Sequence, residues 1–455
     1  MIGVLAAIPA SAWLWSYTVD DALITARVAA NIGRGLGQRF NPHGPIVDAV
    51  TPLGYAHLLS LFARGDVLSY FHAAKVLGVA AWIGAAAVLG ALIARAGETK
   101  ARFLPLGVVA LSTPLAAWAA SGMETGIVTL FATLGLIGGA GSALALGLAA
   151  AWRPELIPFA FVLVVVRLRV ERATLGRALL GSALALLPSL AVATIRSLCF
   201  GRAVPLAFYA KPSDFAHGLA YALGGFAFTG LPWLLVLSPR ELVRVSPAAR
   251  PLLAAFAAHC FALVLCGGDW MSFYRLLAPV LPCAALAAAY IAERARPWAN
   301  AVRMALALLS ALLLAWGLGA PARRVGPRRA ALIAEARPLF AHDARIAALD
   351  VGWVGAASDA DVIDLAGVTD EQVAFFPGGH TSKRIPRAWL FAERPTAIVL
   401  LVADKTVPAD TIAETVFSRA VEERVANFVA DDYRIRGRLA LGFSTYVVLE
   451  PKPNP

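Results

Sequence analysis

Along the first 319 residues the apolar positions run together instead of alternating. The runs approach the roughly 20 residues that a bilayer crossing needs, and short polar gaps separate them. Eleven runs predict eleven crossings: Ile2 to Trp15, Tyr70 to Ala94, Phe103 to Ala119, Met123 to Gly138, Ser142 to Trp152, Leu156 to Val166, Ala178 to Ile195, Leu219 to Leu237, Pro251 to Leu265, Leu276 to Ala292 and Met304 to Leu318. The fifth and sixth read as a hairpin with WRPE at its tip, because fusing them would leave Arg153 and Glu155 at mid-bilayer, where each charge is costly. From about Ala320 the pattern becomes that of a soluble domain. RIAALDVGW (Arg345 to Trp353), TAIVLLVAD (Thr396 to Asp404) and STYVVLE (Ser444 to Glu450) read as strands. Ala409 to Ala430 reads as an amphipathic helix capped by Asp410. The expected fold is an α-helical polytopic membrane protein of about 11 transmembrane helices (1–319) followed by a soluble, extracytoplasmic α/β domain (320–455).

Composition sharpens this. The 455 residues are 59% hydrophobic and 15% charged, against about 45–50% and about 25% in soluble domains. The net charge is +11, yet the tail carries 17 basic and 17 acidic residues, so the whole excess lies in the first 319. A basic chain often binds nucleic acid; here the excess has the form of a positive-inside bias, and no nucleic-acid partner is expected. With the N-terminus inside, the inner loops RAGETKAR, RLRVERATLGR, PRELVRVSPAAR and ERARPWANAVR hold 13 Lys/Arg and 4 acids. The outer segments take Asp20, Asp21, Asp48, Asp66, Glu124, Glu155, Asp214 and Asp269. The first run is read as a retained helix, since no basic region precedes it and it continues past the cleavage-like ASA at Ala10–Ala12. The four cysteines (Cys199, Cys260, Cys266, Cys283) show no metal or redox spacing and read as small hydrophobes.

In this topology the polar motifs of the first 319 residues gather on the outer side: YTVDDALITARVAANIGRG, FNPHG, SGMET, WRPE, PLAFYAK and GGDWMSFYR. A transporter would spread polar groups along a path through the bilayer; an enzyme using a lipid phosphate would collect them at one interface. Asp20 and Asp21 open an amphipathic helix expected to lie in the membrane surface. Their plain reading is helix capping; their chemical reading is a base for an acceptor hydroxyl beside a carboxylate that orients substrate. FNPHG reads as a turn, and TPLGYAHLL starts a second interfacial helix. Lys211, Arg275, Arg27, Arg153 and Lys75 are candidate cations for a phosphate, or side chains that snorkel to the headgroups. Glu124 and Asp269 are candidates to pair with these cations or to bind sugar hydroxyls. The scattered histidines, His57 among them, form no metal constellation. The tail shows no phosphate loop and no nucleophile elbow, and PGGH (Pro377–His380) is a turn first.

Taken in order, DDALITARVAANIGRGLGQRFNPHG, SGMET, RPE, PLAFYAK, GGDWMSFYRLLAPVLP and, in the tail, DVGWVGAASDADVIDLAGVTD resemble the GT-C membrane glycosyltransferases related to the mycobacterial terminal arabinofuranosyltransferases. The resemblance implies an inverting transferase of the bacterial inner membrane, working on its outer face. It would take a sugar, arabinofuranose favoured, from a polyprenyl-phosphate donor to a cell-envelope glycan or a protein acceptor. Asp20 and Asp21 would be catalytic, the first favoured as base. Lys211 and Arg275 would hold the donor phosphate; Arg27 and Lys75 join them as phosphate-binding candidates from the reading of the residues alone. Glu124, Arg153, Glu155, Tyr209, Asp269, Asn41 and His57 would line the substrate. No cofactor and no metal ligand set is implied, since the lipid-phosphate sugar is itself a substrate. Relatives often carry T-N-P-L-W where this chain has Thr51-Pro-Leu-Gly-Tyr55, a departure that bears on which sugar is used. The competing class is a flippase or transporter of lipid-linked glycan without transferase chemistry; a third is a structural or sensory protein whose work lies in the tail.

Overall fold

A computed structural model describes residues 1–211, 213–403, 411–441 and 444–453. Helices make up 62% of it. Its contacts divide the chain into two units: Met1–Thr18, Ala74–Ile195 and Ser213–Arg324 in the first, and Val19–Ala73, Arg196–Pro212 and Val325–Pro455 in the second. The contact units therefore cut the chain differently from the compositional boundary at 319/320. That boundary lies inside the helical span Pro297–Leu339, which is interrupted by a turn at Arg323 and Arg324.

Three helices among the described residues are long and apolar enough to cross a membrane: Val67–Ala94, Leu175–Phe200 and Pro297–Leu339. Lys100–Ala110 and Thr113–Ala120, bent by 52°, make a fourth if taken as one broken span. These features are consistent with a membrane protein. Helix Leu175–Phe200 leaves Leu179, Leu187, Leu190 and Leu198 exposed, as a lipid-facing helix would. Other apolar runs form shorter helices, among them Ile2–Trp13, Thr125–Leu134, Ala140–Trp152, Phe215–Phe228 and Ala249–Leu265. At 1.5 Å per residue these are about 15–26 Å long, short of the roughly 30 Å hydrocarbon core.

Within the first unit, residues 281–289 are all buried, so helix Leu281–Ala292 is apolar on every side and packed on every side. Its alanines let neighbours approach closely. Small residues serve the same end where helix Ile2–Trp13 meets Val67–Ala94: a Cβ on Gly3 would fall 1.9 Å from the Ala86 carbonyl oxygen.

The second unit contains a five-stranded sheet in the order β2-β1-β3-β5-β4, built from β1 (Arg345–Ala348), β2 (Asp361–Asp364), β3 (Ala397–Leu401), β4 (Tyr433–Leu441) and β5 (Ser444–Pro451). β1 runs parallel to β2 and β3; β5 pairs antiparallel with β3 and β4. Ile346, Ala347 and Ala348 are buried in succession, as are Ala397 to Leu400, so both faces of the sheet are covered. Ala347, Ile398, Leu400 and Val447 share a core with Val421 and Val425 of helix Ala420–Val429.

Several sequence expectations for this unit need correction. RIAALDVGW is a strand only to Ala348; Val351–Ala357 is a helix. The expected Ala409–Ala430 helix begins at Ala420, and Asp404 and Asp410 lie outside the described residues. β2 and β4 were not foreseen. Helix Asp20–Gly33 forms where the Asp pair predicted, but Ala22 to Asn31 are buried without a break. Such a helix is enclosed by protein, where a membrane-surface helix would bury one face only. FNPHG forms a turn, and TPLGYAHLL gives helix Tyr55–Ser60.

Candidate functional site

In the second unit the adjacent carboxylates meet different surroundings. Successive residues on a helix point about 100° apart. Asp20 turns toward helix Val351–Ala357, whose first-turn amides have no partner inside that helix. Its two carboxylate oxygens accept from the Gly352 and Trp353 amides at 2.7 and 2.9 Å. Arg329 lies 3.9 Å from it. Burial raises the Asp20 carboxyl from 3.8 to about 6; Arg329 and the Gly352 amide oppose the rise, and Asp350 and Asp21 add to it.

Arg27, two turns further along the same helix, closes the other end of Val351–Ala357. Its guanidinium donates to the carbonyls of Gly355 at 2.6 Å, Ser358 at 3.1 Å and Ala360 at 2.6 Å, and to that of Phe40 at 2.9 Å. Burial lowers its pKa to about 10. The two helices therefore run in the same direction, with an acid at one end and a base at the other. Glycines make the approach possible: a Cβ on Gly352 would lie 2.2 Å from the Asp20 carbonyl oxygen, and one on Gly355 2.8 Å from Arg27 Cδ.

Asp21 faces elsewhere. Its carboxylate is 28% exposed and stands 3.9 Å from the ammonium of Lys211. Lys211 closes the short helix Leu206–Ala210. On that helix Tyr209 packs against Phe375, ring centroids 5.0 Å apart. Asn41 pairs with Val362 of β2 through both its amide oxygen and its amide nitrogen, at 2.8 and 2.9 Å, so it works as a strand edge. His57 is exposed on Tyr55–Ser60.

Sequence reading missed the groups beyond Asp20. Asp350 pairs with Arg419 at 2.7 Å and accepts from the Tyr446 hydroxyl at 2.8 Å; Arg419 also pairs with Glu422 at 3.3 Å. Burial raises the Glu422 carboxyl to about 7. Asp364, fully buried at the end of β2, accepts from the Ala366 and Thr369 amides and the Thr369 hydroxyl at 2.6–2.9 Å; burial raises it to about 6. A buried pair, Arg196 with Asp48 at 2.9 Å, fixes the 48–51 segment. The signal for the Asp20 partners was DVGWVG, an Asp followed by glycines three residues apart, which reads as a helix start with one small face.

The remaining candidates belong to the first unit. Arg153 bridges Glu124 at 3.2 Å and Glu155 at 2.9 Å, all three nearly buried. Asp269 pairs with Arg275 at 2.7 Å, and the Arg275 guanidinium lies 5.6 Å from the Trp118 ring centre. His259 links the segments that carry the two clusters: its ring nitrogens meet the Glu155 carbonyl at 3.2 Å and the Leu276 carbonyl at 2.8 Å. Lys75 donates to the carbonyls of Tyr17 and Ala120 and sits 5.2 Å from the Trp15 ring. The GGDWMSFYR loop is strained: Phe273 and Tyr274 hold φ of 60° and 49°. Such conformations persist only where surroundings enforce them. Here Trp118 donates to the Phe273 carbonyl at 3.1 Å, and Tyr17 meets the Phe273 ring edge-on at 5.2 Å. The strained segment ends at Arg275 and so orients it toward Asp269. Among the described residues no three His, Cys, Asp or Glu side chains are grouped to hold a metal ion.

Residues 326–449 match a domain of unknown function (DUF8728). The match covers the sheet and its helices and leaves the apolar part of the chain outside. No curated protein matches the chain.

Proposed function

We propose that this protein is an inverting, GT-C-type glycosyltransferase that moves a sugar, arabinofuranose favoured, from a polyprenyl-phosphate donor to a cell-envelope glycan or other acceptor. In this reading the apolar runs make about 11 membrane passes, several of them short or broken. The reaction and the sheet-bearing tail lie outside the bacterial inner membrane. The sequence resemblance supports the class. The observation that carries the chemistry is the partly exposed Asp21 carboxylate beside Lys211, next to an Asp20 already committed to two backbone amides.

Asp21 takes the proton of the acceptor hydroxyl. The oxygen attacks the anomeric carbon, the bond from that carbon to the phosphate oxygen breaks, and polyprenyl phosphate leaves with its charge held by Lys211. Before donor binds, Lys211 rests against Asp21; a phosphate competing for the ammonium frees the carboxylate to act as base. Asp20 is a positioning residue that fixes the first turn of the helix carrying Asp21. Arg27, whose donors go to carbonyls, has no part in holding phosphate.

The test is acceptor-dependent release of polyprenyl phosphate by the purified full chain. Asp21→Asn lowers turnover by about 10²–10⁴-fold, the range of a general base. Asp20→Asn lowers it less. A wild-type rate from Asp21→Asn sinks the assignment of the base. Movement of the lipid-linked sugar across the bilayer with no release of polyprenyl phosphate replaces the transferase with a flippase.

A further inference from the structure

A cavity of about 710 Å³ lies wholly within the first unit, between the 233–249 and 290–306 segments. Its chemistry is divided. Trp233, Tyr290, Ile291, Val302 and Leu306 give it an apolar body, while Arg240, Arg244, Arg294 and Arg296 stand at its edge. These four arginines are exposed, and none of them forms an ion pair among the described residues. The one acid in the lining, Glu241, is already engaged. It closes a capping box with Ser238 and pairs with Arg303 at 2.5 Å. Arg303 itself is buried in the wall. Its Nε donates to the Val236 carbonyl at 2.7 Å, and its Nη1 is buried without a hydrogen-bond partner among the described residues.

We infer that this cavity holds the headgroup of an acidic phospholipid, with its phosphate among the arginines and the start of its acyl chains along the apolar body. A soluble anion would gain nothing from the aromatic and aliphatic walls. A protein partner would need a broad face burying about 1,000 Å² or more, where a single concave site suits an amphiphile. The neighbouring surface fits a lipid boundary as well. Trp298, Leu242 and Val243 are exposed beside the arginines, the mixture of aromatic, aliphatic and basic side chains found at membrane interfaces. Both segments belong to loops that the charge distribution assigns to the inner side, where acidic headgroups attract basic clusters. The inference stands independently of the transferase reading.

The test counts lipids retained by the purified full chain in native mass spectrometry after exchange into mixed phosphatidylglycerol and phosphatidylcholine. Wild type retains phosphatidylglycerol preferentially. The triple variant Arg240→Gln, Arg294→Gln, Arg296→Gln loses that preference, by about fivefold for each arginine near the headgroup. These side chains are exposed, so the variant folds. Removing three equally exposed charges elsewhere (Arg169→Gln, Arg172→Gln, Arg177→Gln) leaves the preference intact. The inference is overturned by equal retention of the two lipids, by an unchanged triple variant, or by equal loss in the control. Displacement of the lipid by inorganic phosphate alone overturns it too, by showing a site for free anions.

Discussion

Asp20→Asn isolates the helix clamp from the proposed chemistry, because it keeps the side chain's shape and removes its charge. Burial holds the Asp20 carboxyl at about 6 against an ordinary 3.8. The folded protein thus binds this proton more tightly than the unfolded chain does. The associated stability is complete below about pH 4, declines as pH rises, and is gone above about pH 6. A rise of that size corresponds to roughly 3 kcal/mol between the two protonation states. Asparagine has no such dependence. It also accepts less well from the Gly352 and Trp353 amides, a loss of about 1–2 kcal/mol at a helix N-terminus. At pH 7 the relieved charge burial therefore outweighs the lost cap by about 1–2 kcal/mol. The variant is expected to be the more stable of the two there and to lose that advantage toward pH 5, as wild type binds its proton.

The measurement is hydrogen exchange of the 350–358 segment, corrected for intrinsic exchange rates, between pH 5 and 8. Local opening of this segment exposes Asp20 to water, so wild-type protection should fall steeply with pH while the variant's stays level. Asp364 and Glu422 also carry raised carboxyl pKa values, but both remain in the variant and drop out of the difference. Equal pH slopes in wild type and Asp20→Asn would refute the clamp. A slope altered instead by Asp21→Asn would do the same, by exchanging the roles assigned to the pair.

Arg27→Met takes its donor from the carbonyls of Gly355, Ser358 and Ala360, while Phe40 keeps the Asn31 amide at 3.0 Å, and should cost about 3–5 kcal/mol, seen as a lowered thermal midpoint in detergent. Arg27→Lys should restore little of it, since a single ammonium cannot span the carbonyls of Phe40, Gly355, Ser358 and Ala360. Gly352→Ala places a methyl 2.2 Å from the Asp20 carbonyl oxygen and should cost about 1–3 kcal/mol as overpacking, with faster exchange at 350–358. In the first unit, Arg153→Met leaves the Glu124 and Glu155 carboxylates without the cation they share and should destabilise by about 3–5 kcal/mol, whereas Glu124→Gln, which leaves a matched Arg153–Glu155 pair, should lower the thermal midpoint less.

Elements governed by local signals were legible in the sequence. The Asp pair at a helix start gave Asp20–Gly33, and Pro42 with Gly44 gave the FNPHG turn. Apolar runs marked the helices but not their lengths, because breaks such as that between Ala110 and Thr113 follow packing as well as composition. Strand β4 broke its own alternation with a bulge between Ile435 and Gly437, and the interleaved Arg434, Arg436 and Arg438 read as a solvated segment. The unbroken run RIAALDVGW concealed a change from strand to helix near Asp350. The least legible feature was which cation does what. Arg27 and Lys211 look alike in a sequence, and only the fold shows that one meets carbonyls 328 to 333 residues away while the other meets a carboxylate.

That difference decides how much of the second unit the proposed chemistry needs. Helix Asp20–Gly33 is enclosed along ten consecutive residues, and the side chains at its first and eighth positions are tied to backbone contributed by the 351–360 segment. Without that segment, the Arg27 guanidinium would lose three of its four carbonyl acceptors and Asp20 both of its amides. The turn carrying Asp21 would then be free to rotate, and a base displaced by about 1 Å can lose two orders of magnitude in rate. The sheet-bearing tail thus acts on the carboxylate without touching it, by holding the helix on which it is displayed. A tail that served only to recruit acceptor would have no need of a guanidinium and a carboxylate set two turns apart to match the two ends of one seven-residue helix.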